Sequence, residues 1–553
     1  MLRKISLILI TLCGISSSAQ TAKMRLPLDI EPVLAGNFGE LRPNHFHSGV
    51  DFKTQGRTGL AVRSTDDGYV SRATVSPWGF GRAVYVVHPS TGLTTVYGHL
   101  ESFAEKIDRV VRNEQYARQT FTIDLEFEPG EIPVECGELI ARSGNAGSSG
   151  GPHLHFDVRD TKTGDALDPL DYLAGNFKDK TAPQVRQIGL YAVENEGVVN
   201  GRNLLDAKEK STGFTAWGKV YPAINAFDKM DLTANIYGVK FLSLNVDGKE
   251  VYRRTIKRFG FDETRAVNTL AYYPAVDASG RWMMTTYVPP ARPLGDMIEA
   301  LNDGVVDIDQ EKDYKFEFVL TDHFGNTTRV PFTVRGKKTA VMTKKPAGFS
   351  LDYAGNHNYN VDGVKVTIPK GALYDNMAFN VTSRKSEKYN SAIHSIGNSG
   401  TPLRSNIDIE VPLTRDNQKN KNKYVLCRLN GKGNTVAVDA EFRNGKMVAK
   451  VNRFGKYVVA TDTVAPKVTP IAPAGWGKSG TVRLKMTDNL AGVEYFNGNI
   501  DGKFALFELD GKTATVSFRM DPARFSKGKR HTLEFTATDA AGNKTTYKGN
   551  FQW

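Results

Sequence analysis

The chain has 553 residues, of which 40% are hydrophobic and 24% charged. This is an ordinary soluble globular composition, too long for one hydrophobic core, and it predicts several domains. The formal charge of +12 favours anionic neighbours such as wall polymers or a membrane surface, whereas the dispersed lysines and arginines lack the interleaved aromatics of single-strand binders and speak against nucleic acid.

In chain order, "MLRKISLILITLCGISSSAQ" combines Arg3 and Lys4, an apolar run and small residues ending at Ala19, the three parts of a secretory leader. Residues 1–19 are expected to be removed, leaving a periplasmic or extracellular protein of charge +10, since Arg3 and Lys4 depart with no acidic residue. Cys13 follows Leu12 rather than the small residue of a lipoprotein signal. No later stretch approaches the roughly 20 apolar residues that span a bilayer. Cys136 and Cys427 are far apart and are expected to be unpaired, buried thiols rather than a disulfide framework.

Periodicity is two almost throughout, as in "YVVHPSTGLTTVYGHL" and "GVKVTIPKGALYD", so the chain reads as mostly β. Helical spacing is confined to residues 102–118 and 290–304. Six of the ten histidines, His45, His47, His88, His99, His153 and His155, fall between residues 45 and 155. In "HFHSGVDF" the even separation of His47 and Asp51 on an extended segment puts them on one face, and His153 and His155 of "HLH" share a face in the same way. Two strands can thus direct imidazoles and a carboxylate to a common point. A catalytic zinc keeps three His, Asp or Glu ligands and leaves a fourth position to water. Spacing alone also admits a three-histidine set of His47, His153 and His155.

Four motifs in order carry a resemblance: "HFHSGVDF", "VRSTDDGYVSRA", "VYGHL" and "SGNAGSSGGPHLHFDVRD". From about Leu41 to Pro169 the chain resembles the lysostaphin-type (LytM-like) zinc endopeptidases that cut peptidoglycan peptides. The resemblance implies an antiparallel β peptidase domain in which His47, Asp51 and His155 bind Zn2+ while His99 and His153 are catalytic beside it. Tyr97, two residues before His99, is a candidate further donor against a packing role, and Asp157 a candidate orienting carboxylate against a solvated strand end. His45 reads as a wall residue and His88, before Pro89, as a turn cap. Gly144, Gly147, Gly150 and Gly151 are not followed directly by "GKS" or "GKT" or by a helix pattern, which disfavours nucleotide binding; they are expected to admit a peptide backbone close to the metal. One departure from the family is an insertion at about residues 101–133, which is expected to wall the groove or cover the metal, with Glu101, Glu126 or Glu128 able to reach it.

Further along, "DKTAPQV", "NVDGKEV" and "FVLTDHFGNTTRVPF" are echoed in order by "DTVAPKV", "NIDGKFA" and "FTATDAAGNKTTYKGNF". This is one antiparallel sandwich unit used twice, similar to bacterial immunoglobulin-like domains. Calcium ligation by Asp322, Asp539 and Asn543 is the less favoured reading, because Asp and Asn satisfy turn backbones routinely. The domains expected are a leader at 1–19, the peptidase domain at 20–178, a sandwich at 179–340, a β-rich module at 341–461 and a second sandwich at 462–553. The function expected is hydrolysis of amides in the stems or crossbridges of peptidoglycan, with a non-catalytic wall-binding scaffold or amidase activator as the alternative.

Overall fold

The computed structural model describes residues 23–201, 206–208, 213–345 and 347–553, so the expected leader at 1–19 and Cys13 lie outside the described residues. The protein is mostly β. Among the described residues no helix is long and apolar enough to cross a membrane.

The front domain is built on a twisted sheet of β1 (Leu34–Gly36), β2 (Val50–Lys53), β3 (Gly68–Val75), β4 (Arg82–His88), β5 (Leu93–Gly98), β6 (Ile123–Glu126) and β7 (His153–Asp160), in the order β1-β2-β7-β5-β4-β3-β6. The central strand β7 alternates. Leu154, Phe156 and Val158 are fully buried in the core beside Val50, Phe52 and Tyr97, which leaves His153, His155 and Asp157 together on the opposite face. Register then places the chemistry, because His155 stands directly across from Asp51 of β2 on one side and Gly98 of β5 on the other.

The inserted segment folds as a helix, α1 (Glu105–Arg118), followed by β6. Ile107 and Val111 of α1 enter the core, and β6 pairs with β3 at the sheet edge remote from β7. It does not cover the histidines: Glu126 and Glu128 are exposed, Glu101 accepts a hydrogen bond from Thr58, and none of the three joins the group formed by His47, Asp51 and His155. The second expected helix is absent. Pro289, Pro290, Pro293 and Gly295 break residues 290–297 into turns ahead of a short strand, Ile298–Ala300.

The two sandwich copies differ in build. In the first, the long strands Gln184–Val199 and Gly213–Phe227 join Asp313–Thr321 and Thr327–Gly336 in one continuous sheet. The second is a pair of four-stranded sheets, and the unit between them a pair of five-stranded ones. Cys427 is buried there, but Cys136 is exposed, contrary to expectation, at a turn where its N–H donates to Asp67.

Neighbouring modules meet through specific seams. Phe38 and Phe46 of the front domain pack on Phe259 of the first sandwich. Arg265 of that sandwich donates to the carbonyls of Leu403 and Asn452 in the next unit, where Lys423 in turn donates to Ala541 and Asn543 of the last. The last module returns to the first. Glu508 pairs with Arg82 at 2.7 Å, Lys512 donates to the carbonyl of Asn145, and Phe504 and the Arg524 guanidinium sit on the Tyr116 ring of α1, the latter at 3.7 Å. The four units therefore close a ring in which α1 serves as a docking platform. Tyr116→Ala is expected to weaken this seam by about 0.5–2 kcal/mol and speed amide exchange at residues 503–505, with β7 unchanged, by hydrogen-exchange mass spectrometry.

Candidate metal centre

Three acceptor atoms converge where β2 and β7 pair. His47 Nε2, Asp51 Oδ1 and His155 Nδ1 lie 3.0 Å from one another, and all three residues are buried. The outer atom of each ring is already committed: His47 Nδ1 lies 2.7 Å from the Asn37 carbonyl and His155 Nε2 lies 2.6 Å from Asp157 Oδ1. A carbonyl and an ionised carboxylate only accept, so those nitrogens carry the hydrogens and the inner ones present bare lone pairs. Three lone pairs at this separation repel unless a cation or a proton sits among them. Tetrahedral ligands about 2.0–2.1 Å from one ion stand roughly 3.3 Å apart, and the donor set of two imidazoles and a carboxylate suits zinc. The residues fit the ion.

A tightly bonded outer layer holds this arrangement. Asp157 is fully buried, accepts from Ser48 at 2.9 Å and pairs with Arg159 at 2.5 Å, so it orients His155 and is not a solvated strand end. Burial opposes its ionisation, but Arg159 and His155 more than offset that and hold it well below the usual carboxylate range. Arg42 reaches Asp51 Oδ2 at 2.8 Å. Burial likewise opposes charge on Asp51, yet His47, His153 and His155 around it keep its carboxyl well below the ordinary value. For His155, burial is outweighed by Asp157 and Asp51, which push the imidazole up to about 9. Without an ion, a proton therefore occupies the triad.

His99 and His153 flank the point of convergence, their ring centroids 4.6 Å apart. His99 Nδ1 is 2.8 Å from the Ala146 carbonyl, and His153 Nδ1 is 2.8 Å from that of Gly151, with Ser149 Oγ at 3.1 Å. Both rings thus point a bare Nε2 inward, and that of His153 is 3.5 Å from Asp51 Oδ1. His99 follows the end of β5 in a left-handed backbone, φ 59°, a conformation that non-glycine residues adopt at some cost. This break in parity removes Tyr97 from the site. Its ring lies in the core and its hydroxyl bonds Thr65 and Thr95, so it is a packing residue.

His45 is exposed and bonds Pro43, away from the triad. His88 is buried and bridges Asp67 and Thr95 rather than capping a turn from outside. The loop glycines divide. A Cβ on Gly144 or Gly147 would lie 2.3–2.4 Å from backbone atoms of Glu101, Gly79 and Gly81, so these two serve the packing of the loop itself, while Gly150 and Gly151 face open space. Sequence reasoning did not identify Asn37, Arg42 or Phe80. Phe80 stacks on His155 at 4.7 Å, and Gly98 leaves the room, since a Cβ there would meet Phe80 at 3.2 Å and His155 at 3.3 Å. The "WGFGRA" run flanking Phe80 with glycines was the available signal.

Known proteins share parts of this chain. Over 150 residues it is 31% identical to an uncharacterized metalloprotease of Haemophilus influenzae, covering 27% of this chain and 25% of the relative. Over 113 residues it is 29% identical to the DD-carboxypeptidase/endopeptidase Mpg of Neisseria meningitidis serogroup B, covering 20% of each. The chain thus spans a quarter or less of the length of these curated relatives. Among solved structures, a zinc-containing peptidase from Vibrio cholerae aligns at TM-score 0.20 and 27% identity over 27% of this chain and 39% of its own. The catalytic domain of lysostaphin from Staphylococcus simulans aligns at 0.19 and 22% over 26% and 92%. A Zu5-like domain matches residues 350–462. The front domain resembles the lysostaphin-type peptidases, as its motif order implies.

Two outcomes follow from the geometry. Asp157→Asn is expected to lower zinc affinity about 10–100-fold by loosening His155, measured by competition with a chelating dye. Because the proton on His155 must leave before an ion binds, affinity should rise with pH by about one log unit per unit and level off near pH 9; the same dye titration between about pH 6 and 8.5 checks the slope.

Proposed function

We propose that this chain is an exported zinc endopeptidase that hydrolyses amide bonds in the peptide stems or crossbridges of bacterial peptidoglycan, working in the periplasm or outside the cell. The observation that carries this reading is the convergence of three bare acceptor atoms at 3.0 Å from one another, with two further imidazoles turned to the same point. The similarity of part of the chain to a metalloprotease and to a DD-carboxypeptidase/endopeptidase supports it.

A zinc ion held by His47, Asp51 and His155 supplies Lewis acidity towards a carbonyl and lowers the pKa of a water that it binds. The chain supplies the rest. Burial, with His155 and His153 close by, pushes the His99 imidazole down to about 3, so it is neutral across the physiological range. With Nδ1–H committed to Ala146, its Nε2 can only accept a hydrogen bond, which suits it to orient the attacking water, since so depressed an imidazole is a weak base. His153, anchored by Gly151 and Ser149, offers a second Nε2 on the same side and can take that water's proton and carry it towards the leaving amine. Phe80 over His155 narrows solvent access, and Arg42 on Asp51 Oδ2 leaves Oδ1 as the carboxylate's ligand atom.

A cleft between the front domain and the last module runs alongside the glycine-rich loop, and none of the five site residues lines it. Asn145, Ala146 and Ser149 of the glycine-rich loop form one wall, and Asp510, Lys512 and Thr513 of the last module form part of another. Trp78, 57% exposed, stands at its edge against Gly511. The last sandwich thus packs directly on the loop that anchors His99 and His153 rather than acting as a remote anchor. The charge of the whole protein suits an anionic polymer.

Purified zinc-loaded protein is expected to release soluble fragments with new amino termini from isolated sacculi. His99→Ala should lower the rate about 10²–10⁴-fold at unchanged zinc content by mass spectrometry. Zinc-loaded protein that binds sacculi and releases nothing would overturn the peptidase reading in favour of a scaffold.

A further inference from the structure

A second set of carboxylates has no place in the hydrolytic site. Asp179, Asp228 and Asp322 each bring a carboxylate oxygen within 4.8 Å of the others in the first sandwich, and Asp462, Asp488 and Asp539 do so in the second. The two groups occupy the same three positions of the repeat. Asp179 accepts from the N–H of Thr181, two residues on, and of Asp231, three residues after Asp228. Asp462 accepts from Val464 and Ala491 at those same offsets. Asn326 donates to Asp322 and to the Asp179 carbonyl, as Asn543 does to Asp539 and to the Asp462 carbonyl.

Turn capping accounts for Asp322 and Asp539, whose oxygens receive N–H donors from the following turn. Backbone N–H groups also occupy both oxygens of Asp462 and Oδ2 of Asp488, but three oxygens are left over. Asp179 is 8% and Asp228 5% exposed, yet Asp179 Oδ2 and Asp228 Oδ1 are buried with no hydrogen-bond partner, and Asp488 Oδ1 is likewise buried and unpaired in the second copy. Native structures rarely leave such atoms unsatisfied, least of all carboxylate oxygens beside other carboxylates. Among the described residues no lysine, arginine or histidine is ion-paired with any of the six. Lys423, beside the second group, donates to Asn543 and Ala541 instead. A third cluster, Asp168, Asp171 and His323, shows the contrast, since the Lys240 ammonium already lies among its members, 2.6 Å from Asp168 and 3.2 Å from Asp171.

We propose that each sandwich module binds one calcium-class divalent cation between its opening segment, its central turn and its terminal turn, through Asp179, Asp228 and Asp322 in the first copy and Asp462, Asp488 and Asp539 in the second. The donors are all oxygen, which selects a hard cation. Calcium accepts six to eight oxygens in a flexible shell, which suits carboxylates held on three separate segments better than the strict octahedron of magnesium. In the first copy the ion would tie down the segment from Asp228 to Gly238. Gly238 exchanges hydrogen bonds with the side chain of Asn37, and the Asn37 carbonyl holds His47.

Equilibrium dialysis of the full-length, zinc-loaded chain against radiolabelled calcium tests this, with affinities expected on the order of 10⁻⁴–10⁻³ M, the range of extracellular modules. The expected uptake is two ions per chain, one in Asp228→Asn or in Asp488→Asn and none in the double variant, with circular dichroism unchanged. Folded wild-type protein that takes up no calcium at about 5 mM, or uptake that persists in the double variant, would overturn the assignment. Zinc content and sacculus hydrolysis are read separately, so failure here leaves the front site standing.

Discussion

Three lone pairs held 3.0 Å apart in a buried site are the constraint around which the front domain is organised. Such crowding is tolerable only when a positive charge lies in its midst, so every neighbour must keep the three atoms from rotating apart. The antiparallel pairing of Asp51 with His155 fixes two of them by backbone hydrogen bonds. The third comes from the irregular segment before β2, pinned by the Asn37 carbonyl. Buried Asp157 with Arg159, and Arg42 on the far oxygen of Asp51, distribute charge so that the inner atoms remain acceptors. The apolar side of β7, with Leu154, Phe156 and Val158 fully buried, resists the register slip that would turn the whole set to the other face.

Much of this was legible in the sequence because strand parity is a hard rule. His153, His155 and Asp157 share a face, and the motif order placed His47, Asp51 and His99 near them. Parity failed where the backbone left the extended region. His99 adopts a positive φ, so Tyr97 points into the core, although counting by twos assigns it to the cleft. Contacts made by carbonyls, such as those of Asn37, Ala146 and Gly151, leave no trace in residue type. The inserted segment was visible as a helix followed by a strand, but its position was not, since nothing local says which edge of a sheet a hairpin will join. The mistaken helix over residues 290–304 came from weighing apolar spacing above three prolines and a glycine within seven residues.

The repeat shows how one plan diverges under different neighbours. Both sandwiches keep the Asp-Gly turn and the Asp-x-x-Gly-Asn turn at matching places, yet the first merges its strands into a single sheet and carries an extra segment, residues 256–308, whose Phe259 seals against Phe38 and Phe46. The unit between them, similar to Zu5-like domains over residues 350–462, bridges the two copies. Apolar packing accompanies the polar contacts at these seams: Leu506 and Phe504 of the last module join the front core, and Ala541 packs with Val425 and Val458.

Because the last module returns to the first, the separation of the two cleft walls is not an independent variable. It is the geometric remainder of three other joints taken in series around a circuit. A small rotation at the joint between Arg265 and its carbonyl partners, far from any histidine, must reappear as a change in bore beside Asn145, or else strain the pairing of Glu508 with Arg82. Whatever stiffens or loosens one hinge of such a circuit is felt at the glycine-rich loop against which Lys512 rests.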